Sequence, residues 1–360
     1  MKNNLDKYFV LFSCCFITKG FNRSIIIDTQ RNNFHYIPNE LADLIDEFGI
    51  QTIGEILQQF DEEEKPIVFE YLIFMEENEL GFYTDNPASF PQIDKKVLSA
   101  SLISNAILDF RKDIQYDIYS HLQELETLGC EAVQIRIFEN LTQQVFNKLL
   151  ESFEKLTFRC VELLLNADEI YNQKYLKKVL KANPNINSVI LYSCPKNDFL
   201  PLNHYQALES RINILESRDQ CGQMGAKYFT PNMNHVLESQ SFNSCLNKKV
   251  SIDENGAIKN CPSLSQAFGS AQLASLTEAI GKRGFKDFWT IGKDKIEICK
   301  DCEFRHICTD CRAYIQSPDN KFSKPIKCGY DPYSNTWEDW SMNSLSNGHK
   351  QFLAPITNNL

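Results

Sequence analysis

The sequence lacks a surplus of positive charge. Its 37 lysines and arginines are outnumbered by 47 aspartates and glutamates, which gives a formal net charge of -10 at pH 7. It therefore offers no basic stripe of the kind that binds a phosphate backbone, and we do not expect a nucleic acid partner. A basic or neutral peptide suits such a chain better.

Long apolar runs are also missing. No segment approaches the ~18 apolar residues that a membrane span requires, so we expect a soluble, cytoplasmic protein with no membrane partner. The run Tyr8 to Ile17 contains a string typical of a lipoprotein signal. Its apolar core is short and Asp6 interrupts the basic end, which argues against export.

The first ninety residues predict a small α+β module. The β-rich runs at 8–17 and 24–28 predict a hairpin, and Phe34–Ile37 predicts a third strand. Apolar periodicity then predicts three helices, the last over residues 65–77, and Asn78–Thr84 predicts a closing strand. A proline-rich linker follows, so we place the boundary of this module near residue 90.

From residue 97 onward, strands and amphipathic helices alternate. The candidate strands are Ser101–Leu108, Ala132–Phe138, Cys160–Leu165, Ser188–Tyr192 and Ile212–Leu215. This βαβ spacing predicts an α/β fold, with a parallel sheet or a partial (β/α) barrel over residues 91–235. Its functional loops would lie at the carboxyl ends of the strands.

Thirteen cysteines form an odd set with close pairs, which favours metal ligation over a disulfide scaffold. Seven of them lie in the C-terminal third: Cys245, Cys261, Cys299, Cys302, Cys308, Cys311 and Cys328. Two thiolates separated by two residues can wrap one ion or one cluster, and seven ligands are too many for one tetrahedral site. The spacing favours iron–sulfur clusters, with a pair of zinc sites as the alternative.

This layout, with Gly256 five residues before Cys261, resembles the SPASM domain, the auxiliary-cluster extension of radical SAM peptide-modifying enzymes. The string from Cys299 to Tyr314 resembles in particular the maturases of grasp-with-spasm systems. The match covers residues 236–330, and 331–360 reads as a polar tail. The resemblance implies a role in maturing a ribosomally made, post-translationally modified peptide, with the precursor (leader) peptide and an ATP-grasp ligase as partners.

The resemblance also implies two auxiliary [4Fe–4S] clusters. Cys299, Cys302, Cys308 and Cys328 would close the second cluster, and Cys245, Cys261 and Cys311 would hold the first. The first set lacks a fourth ligand, because the nearest upstream thiol, Cys221, is 24 residues before Cys245. The last close pair is also separated by two residues where the family has three.

The family's catalytic motif, Cys-x-x-x-Cys-x-x-Cys, is absent. The loop that would carry it, Asp109 to Tyr116, contains no cysteine. The resemblance therefore implies a degenerate radical SAM-like barrel, S-adenosylmethionine is not expected as a cofactor, and no catalytic residue is assigned. The alternatives are a radical SAM or redox enzyme with an atypical ligand set and a zinc-stapled peptide-binding protein.

The N-terminal module resembles winged-helix peptide-recognition domains. These capture a guest peptide as an added strand on an exposed sheet edge, which the hairpin 8–28 or the strand at 34–37 would offer. The alternative is a domain that merely packs on the barrel. Near the clusters, the charged side chains of Arg305, Asp310 and their neighbours predict a solvated face or hydrogen bonds to cluster sulfides.

Overall fold

The computed structural model describes residues 4–94, 100–111, 116–212 and 221–338. The described chain forms two compact units, and neither unit is continuous in sequence. The first unit comprises the described parts of Met1–Val97, Gly222–Ser244 and Ile291–Lys350. The second comprises the described parts of Leu98–Cys221 and Cys245–Thr290.

The chain begins with short strands followed by three helices. The strands β1 to β4 span Tyr8–Leu11, Cys15–Lys19, Ser24–Asp28 and Asn33–Ile37; the helices α1 to α3 span Asn39–Phe48, Ile53–Leu57 and Lys65–Glu77; β5 spans Gly81–Thr84, and a 3-10 turn spans Pro87–Ser89. The β-rich run 8–17 is two strands, because a turn in which the Cys15 N–H donates to the Phe12 carbonyl separates them. A capping box between Thr52 and Glu55 fixes the start of α2.

The next stretch alternates strand and helix as predicted. In chain order it consists of β6 (Asn105–Phe110), α4 (Ile118–Thr127), β7 (Ala132–Ile137), α5 (Gln143–Lys155), β8 (Cys160–Asn166), α6 (Gln173–Ala182), β9 (Ile186–Tyr192), β10 (Asp198–Pro201) and β11 (Ala207–Ser210). Of the predicted strand Ile212–Leu215, only Ile212 lies within the described residues, and it is outside any strand. The last strand before this position is β11, which ends at Ser210.

The cysteine-rich part has shorter elements. They are a 3-10 turn at Ala226–Tyr228, α7 (Met233–Ser239), β12 (Lys249–Ile252), β13 (Ala257–Lys259), β14 (Gly269–Ser270), α8 (Leu276–Gly281), 3-10 turns at Lys293–Lys295 and Cys299–Asp301, β15 (Tyr330–Asp331) and β16 (Thr336–Trp337). The segment predicted as a polar tail thus begins within a small antiparallel hairpin formed by β15 and β16. The tail beyond residue 338 lies outside the described residues.

One nine-stranded sheet organises the second unit, in the order β10-β11-β9-β8-β7-β6-β12-β13-β14. The six strands from β11 to β12 in that order are parallel, and β10, β13 and β14 are antiparallel additions. A mixed α/β fold with a mostly parallel sheet is therefore confirmed. β12 pairs with β6, so part of the cysteine-rich segment extends this sheet.

The two faces of the sheet differ in chemistry. One face packs with α4, α5 and α6 into the largest apolar core, to which Leu108, Ile135 and Leu163 contribute fully buried side chains. The opposite face carries polar groups, such as the Glu162 carboxylate that accepts a hydrogen bond from Ser188 at 2.7 Å. The strict alternation of side chains along a strand separates the two sets.

The first unit contains two smaller sheets, β1-β5 and β2-β3-β4. Helices α1 to α3 cover Phe9, Ile26 and neighbouring side chains in one core. A second core joins Phe16 and Ile25 to Phe304 and Tyr330 of the cysteine-rich segment. Among the described residues, no helix has the length and apolar character needed to cross a membrane.

The central position of β8 gives a stability prediction. Leu163 is 0% exposed in the middle of the sheet. We expect Leu163→Ala to lower the free energy of unfolding by about 2–5 kcal/mol, because it removes buried methyl groups and leaves a cavity. Val145→Ala on the half-exposed side of α5 should change it by no more than about 0.5 kcal/mol. Urea unfolding of both variants measures this, and equal losses would contradict the assigned core.

Candidate metal centres and an adjoining groove

The four cysteines predicted to close the second cluster line one cavity in the first unit. Cys299 and Cys302 flank a 3-10 turn, Cys308 follows six residues later, and Cys328 lies just before β15. Apolar and aromatic side chains, among them Phe304, complete the lining. The structure thus brings together the four thiols that the sequence grouped.

Backbone strain positions the first of these thiols. Ile298, directly before Cys299, has a φ of 66°. A β-branched residue rarely adopts this left-handed conformation, which costs on the order of 1–3 kcal/mol. Ile298 also lines the cavity. The strain lies where the chain must turn sharply to direct Cys299 inward.

The separation of the sulfurs distinguishes a cluster from a single ion. Four thiolates on one tetrahedral zinc lie about 3.8 Å apart, given a Zn–S distance of ~2.3 Å. Among the described residues, the only three metal-ligating side chains whose ligand atoms lie mutually within 4.8 Å are Cys14, Cys15 and Asp28. No three of the cavity sulfurs therefore lie mutually within 4.8 Å.

Burial keeps these thiols from acting as free nucleophiles. It raises the pKa of Cys308 to about 12 and raises the pKa of Cys302 well above its ordinary value. A backbone N–H bond from Phe304 to the Cys302 sulfur acts in the opposite direction, because it favours the thiolate. A bound cation would shift the same balance much further, since ligation requires the thiolate.

The hairpin of β12 and β13 organises two of the other three cysteines. Gly256 occupies its turn with a φ of 73°, a conformation that favours glycine, which accounts for the glycine of the sequence motif. Ser251 pairs with Lys259, and continuing this register sets Cys261 opposite Lys249. The Lys249 ammonium in turn donates to the Cys245 sulfur at 3.4 Å. Cys245 and Cys261 therefore meet at one end of the hairpin.

Sequence reasoning missed two residues at this position. Cys221 belongs to the same group, since its sulfur acts electrostatically on both Lys249 and Cys261. Burial opposes the charge of the Lys249 ammonium, but the sulfurs of Cys245, Cys261 and Cys221 outweigh it and raise the lysine pKa. The Asn255-Gly256 signal predicts a hairpin here, and a three-residue loop with Gly256 in the left-handed conformation sets Lys249 opposite Cys261. No sequence rule spans the 24 residues to Cys221.

Cys311 does not line the four-thiol cavity and belongs to the first unit, whereas Cys245 and Cys261 belong to the second. It is 5% exposed, and its sulfur lies 2.8 Å from the position that a side-chain carbon on Gly222 would take. Gly222 also has a φ of 73°, so glycine is required there for two reasons. That Cys311 shares a site with Cys245 and Cys261 stays a prediction.

Buried charges surround the four-thiol cavity. Lys293 lines it and lies 3.9 Å from the Asp310 carboxylate. Asp310 is 2% exposed and also binds the Arg312 guanidinium and the Asn243 amide, so the predicted solvated face is wrong for Asp310. Burial opposes the charge of Lys293, but the sulfurs of Cys308 and Cys299 outweigh it and raise the lysine pKa.

The close approach of Cys14, Cys15 and Asp28 does not indicate a metal site, because hydrogen bonds in a turn account for Asp28. The Asp28 carboxylate accepts hydrogen bonds from the backbone N–H groups of Gln30 and Arg31 and from the Arg31 guanidinium. Its lone pairs are therefore committed within the turn after β3. Burial raises the pKa of the Cys15 thiol, which leaves it neutral.

The position where the family motif would lie is partly described. Residues 112–115 of the loop lie outside the described residues. At the ends of β6 and β7, Asp109 accepts two hydrogen bonds from Arg136, at 2.5 and 2.7 Å, and both side chains are buried. Burial raises the pKa of Asp109 despite this partner.

A groove of about 580 Å³ lies beside β2 in the first unit. Polar and apolar surface contribute about equally to its walls. The apolar side chains come from β1, β2, α1 and the segments after α1 and β5: Val10, Leu11, Phe16, Ile17, Ile45, Ile50, Pro87, Phe90 and Ile93. Lys19, Asp46 and Arg305 add charge at its rim. An extended apolar segment fits such a surface.

The edge of β2 that borders the groove is open. The Gly20 N–H donates to the Arg23 carbonyl, so alternate residues of β2 bond to β3, and the residues between them, Cys15, Ile17 and Lys19, direct their backbone groups outward. Two of these groups have partners, because the Cys15 N–H donates to the Phe12 carbonyl and the Lys19 carbonyl accepts from Arg305. Ile17 lies between them, in the middle of the edge. Among the described residues, no strand pairs with this edge. An unpaired edge beside an apolar groove is what strand addition requires.

Comparisons with known proteins add little. No family model matches this sequence, and no curated protein matches it. Among solved structures, the chain is similar to SuiB of Streptococcus suis, crystallised with bound S-adenosylmethionine. The TM-score is 0.32 and the identity 13%, over 88% of this chain and 98% of that chain. A similarity this low carries no conclusion about function.

His235 on α7 provides a pH-dependent test of the first unit. Burial, and then the nearby Lys293 charge, lower its pKa from 6.5 to about 4. Above pH 6.5 the imidazole is neutral in both states. As the pH falls from 6.5 towards 4, the unfolded chain gains a proton that the folded chain does not, so stability falls.

We therefore expect His235→Gln to lose less stability than the wild type between pH 7 and pH 5. Urea unfolding at both pH values measures the difference. Gln replaces the ring with a group that does not titrate, so parallel losses in both proteins would contradict the assigned pKa.

Proposed function

We propose that this chain binds two iron–sulfur clusters and captures the precursor of a ribosomally made, post-translationally modified peptide, acting with an ATP-grasp ligase. The observation that carries the proposal is the cavity lined by Cys299, Cys302, Cys308 and Cys328. It lies in the same unit as the apolar groove and the open edge of β2.

The donor set fits a cluster. Four thiols line one cavity, and no three of their sulfurs lie mutually within 4.8 Å, a spread that suits a cluster better than one tetrahedral ion. Ligation requires the thiolate, so cluster binding would release the proton that burial favours on Cys308. A bound cluster would cross-link the turn at Cys299 to Cys328, and its binding energy would contribute to folding.

For the first cluster we propose Cys221 as the ligand that the sequence leaves open. Its sulfur, together with those of Cys245 and Cys261, surrounds the Lys249 ammonium in the second unit. Backbone bonding from Ser263 to the Cys261 sulfur favours the thiolate there, as it does at Cys302. Cys311 remains the ligand that the family resemblance implies.

The groove supports peptide capture in an extended conformation. A guest strand would pair with the Ile17 N–H and carbonyl, the Cys15 carbonyl and the Lys19 N–H, and the apolar side chains of the groove would take alternate side chains of the guest. α1 adds Asp43 and Asp46, both bound to Lys19, so the rim is acidic at that end. An apolar segment followed by a basic residue is the guest that suits this surface. The ligase partner rests on the family resemblance alone.

Arg305 connects the groove with the four-thiol cavity, since it lines both. One guanidinium nitrogen donates to the Lys19 carbonyl at 2.5 Å and to the Cys302 carbonyl at 3.0 Å. Its Nε donates to Asp294 at 2.6 Å. The edge that would receive the peptide is therefore held by a side chain that is itself anchored at a cluster ligand.

Iron analysis of single-cysteine variants tests the cluster proposal. We expect Cys302→Ala and Cys221→Ala each to reduce bound iron and acid-labile sulfide by about half after anaerobic reconstitution, because each removes a ligand of a different cluster. The exposed Cys160→Ala on β8 is the matched control and should bind as much iron as the wild type. Zinc in place of iron and sulfide would support the zinc-stapled alternative and contradict the proposal.

A proline scan of the two sheet edges tests peptide capture. Ile17→Pro removes an outward N–H without breaking the ladder to β3, so we expect roughly two- to tenfold weaker binding of a fluorescent peptide that has an apolar segment followed by a lysine. Tyr36→Pro, on the opposite edge at β4, is the control and should bind normally. Loss of binding in the Tyr36 variant alone would assign the peptide to β4. No measurable binding by the wild type would refute peptide capture.

A further inference from the structure

We propose that Lys293 and Lys249 are redox-tuning residues, one for each cluster, whose ammonium groups stabilise the reduced state of the neighbouring cluster. This inference rests on the proposed function, because it requires that the clusters bind. Neither lysine belongs to the cysteine pattern from which the sites were predicted.

Apart from the thiols, the Lys293 ammonium has few neighbours that could compensate its charge. The residue is 5% exposed and lines the cavity of the four thiols. Among the described residues, its ammonium has the Met224 sulfur at 3.8 Å and the Asp310 carboxylate at 3.9 Å as neighbours outside the thiols. An ammonium has three donors, and a thioether is a weak acceptor. The cavity side is where its remaining hydrogen bonds can be made.

Asp310 does not cancel this charge. Its carboxylate accepts a hydrogen bond from Arg312 at 2.8 Å and another from Asn243 at 2.6 Å. The trio of Lys293, Asp310 and Arg312 therefore carries one net positive charge beside the cavity. A buried charge of this kind needs a partner of opposite sign, and a cluster held by four thiolates is an anion.

Lys249 likewise places an ammonium group beside cysteine sulfurs, in the second unit. Its register on β12 sets it opposite Cys261, and its ammonium donates to the Cys245 sulfur at 3.4 Å. Cys221 completes the group of sulfurs around it. The two lysines lie on unrelated backbone elements, a strand and a 3-10 turn. The same charge at both thiol sites therefore does not follow from a shared local fold.

The physical consequence concerns the reduction potential. Adding an electron makes a thiolate-bound cluster more negative, so a nearby positive charge and N–H bonds to sulfur favour the reduced form. The effect is strong where solvent is excluded, since screening is weak there. An exposed lysine that is equally close in sequence to a cluster ligand should change the reduction potential little.

Redox titration of the reconstituted protein, followed by electron paramagnetic resonance, tests this inference. We expect Lys293→Met to lower the reduction equilibrium constant of the second cluster by at least tenfold, which is 59 mV for one electron, and to leave the first cluster unchanged. Lys249→Met should do the reverse. Lys293→Arg and Lys249→Arg keep the charge and should retain most of each potential.

The matched control is Lys300→Met. Lys300 lies between Cys299 and Cys302 in sequence but is exposed. Its substitution therefore removes a positive charge that solvent already screens, so both potentials should stay unchanged. Unchanged potentials in both Met variants with full iron content would overturn the inference, as would equal shifts in the Met and Arg variants. Absence of iron and sulfide from the wild type would instead refute the proposed function. Where a Met variant loses its iron, the Arg variant of the same lysine decides between charge and folding.

Discussion

The burial of four thiols around one small cavity is the constraint on which the first unit depends. Cys299, Cys302, Cys308 and Cys328 all line this cavity, and burial raises the pKa of the first three thiols. Lys293 adds a charge that must also be compensated inside the protein. An anionic cluster satisfies both demands at once, because it takes up the thiolates and presents negative charge to the ammonium.

The surroundings of this cavity explain how the N-terminal module and the cysteine-rich segment become one unit. Phe16 and Ile25 pack in the same core as Phe304 and Tyr330. Arg23 adds an ion pair to Glu303 at 2.7 Å, which is itself bound by the Tyr330 hydroxyl. The side chains that pack around this cavity are therefore the same side chains that support β2 and β3. Peptide capture and cluster binding, as proposed, would depend on the same residues within this unit.

The sequence predicted those features that depend on local chemistry. Alternation of strands and helices after residue 97 follows from apolar periodicity. The grouping of Cys299, Cys302, Cys308 and Cys328 came from the resemblance to the SPASM domain. The strand β12 was missed because its only parallel partner, β6, is more than a hundred residues away. For the same reason the discontinuous units could not be derived, since they depend on packing between distant segments.

Individual side chains show the same limit. Asp310 reads as a surface carboxylate in a charged turn, yet Arg312 and Asn243 enclose it. Cys221 reads as an isolated thiol, and only the fold brings it to Lys249. Lys249 and Lys293 carry no sequence signal of their own, because a buried lysine differs from an exposed one only in its surroundings.

The central claim is that the clustered thiols hold iron–sulfur clusters. Native mass spectrometry of the anaerobically purified wild-type chain tests it most directly, because it weighs the bound group without a variant or an assay of activity. Two additions, each with the mass of a four-iron, four-sulfide cluster, are the predicted result. A chain that carries only zinc, or no inorganic sulfide after anaerobic reconstitution, would contradict the account.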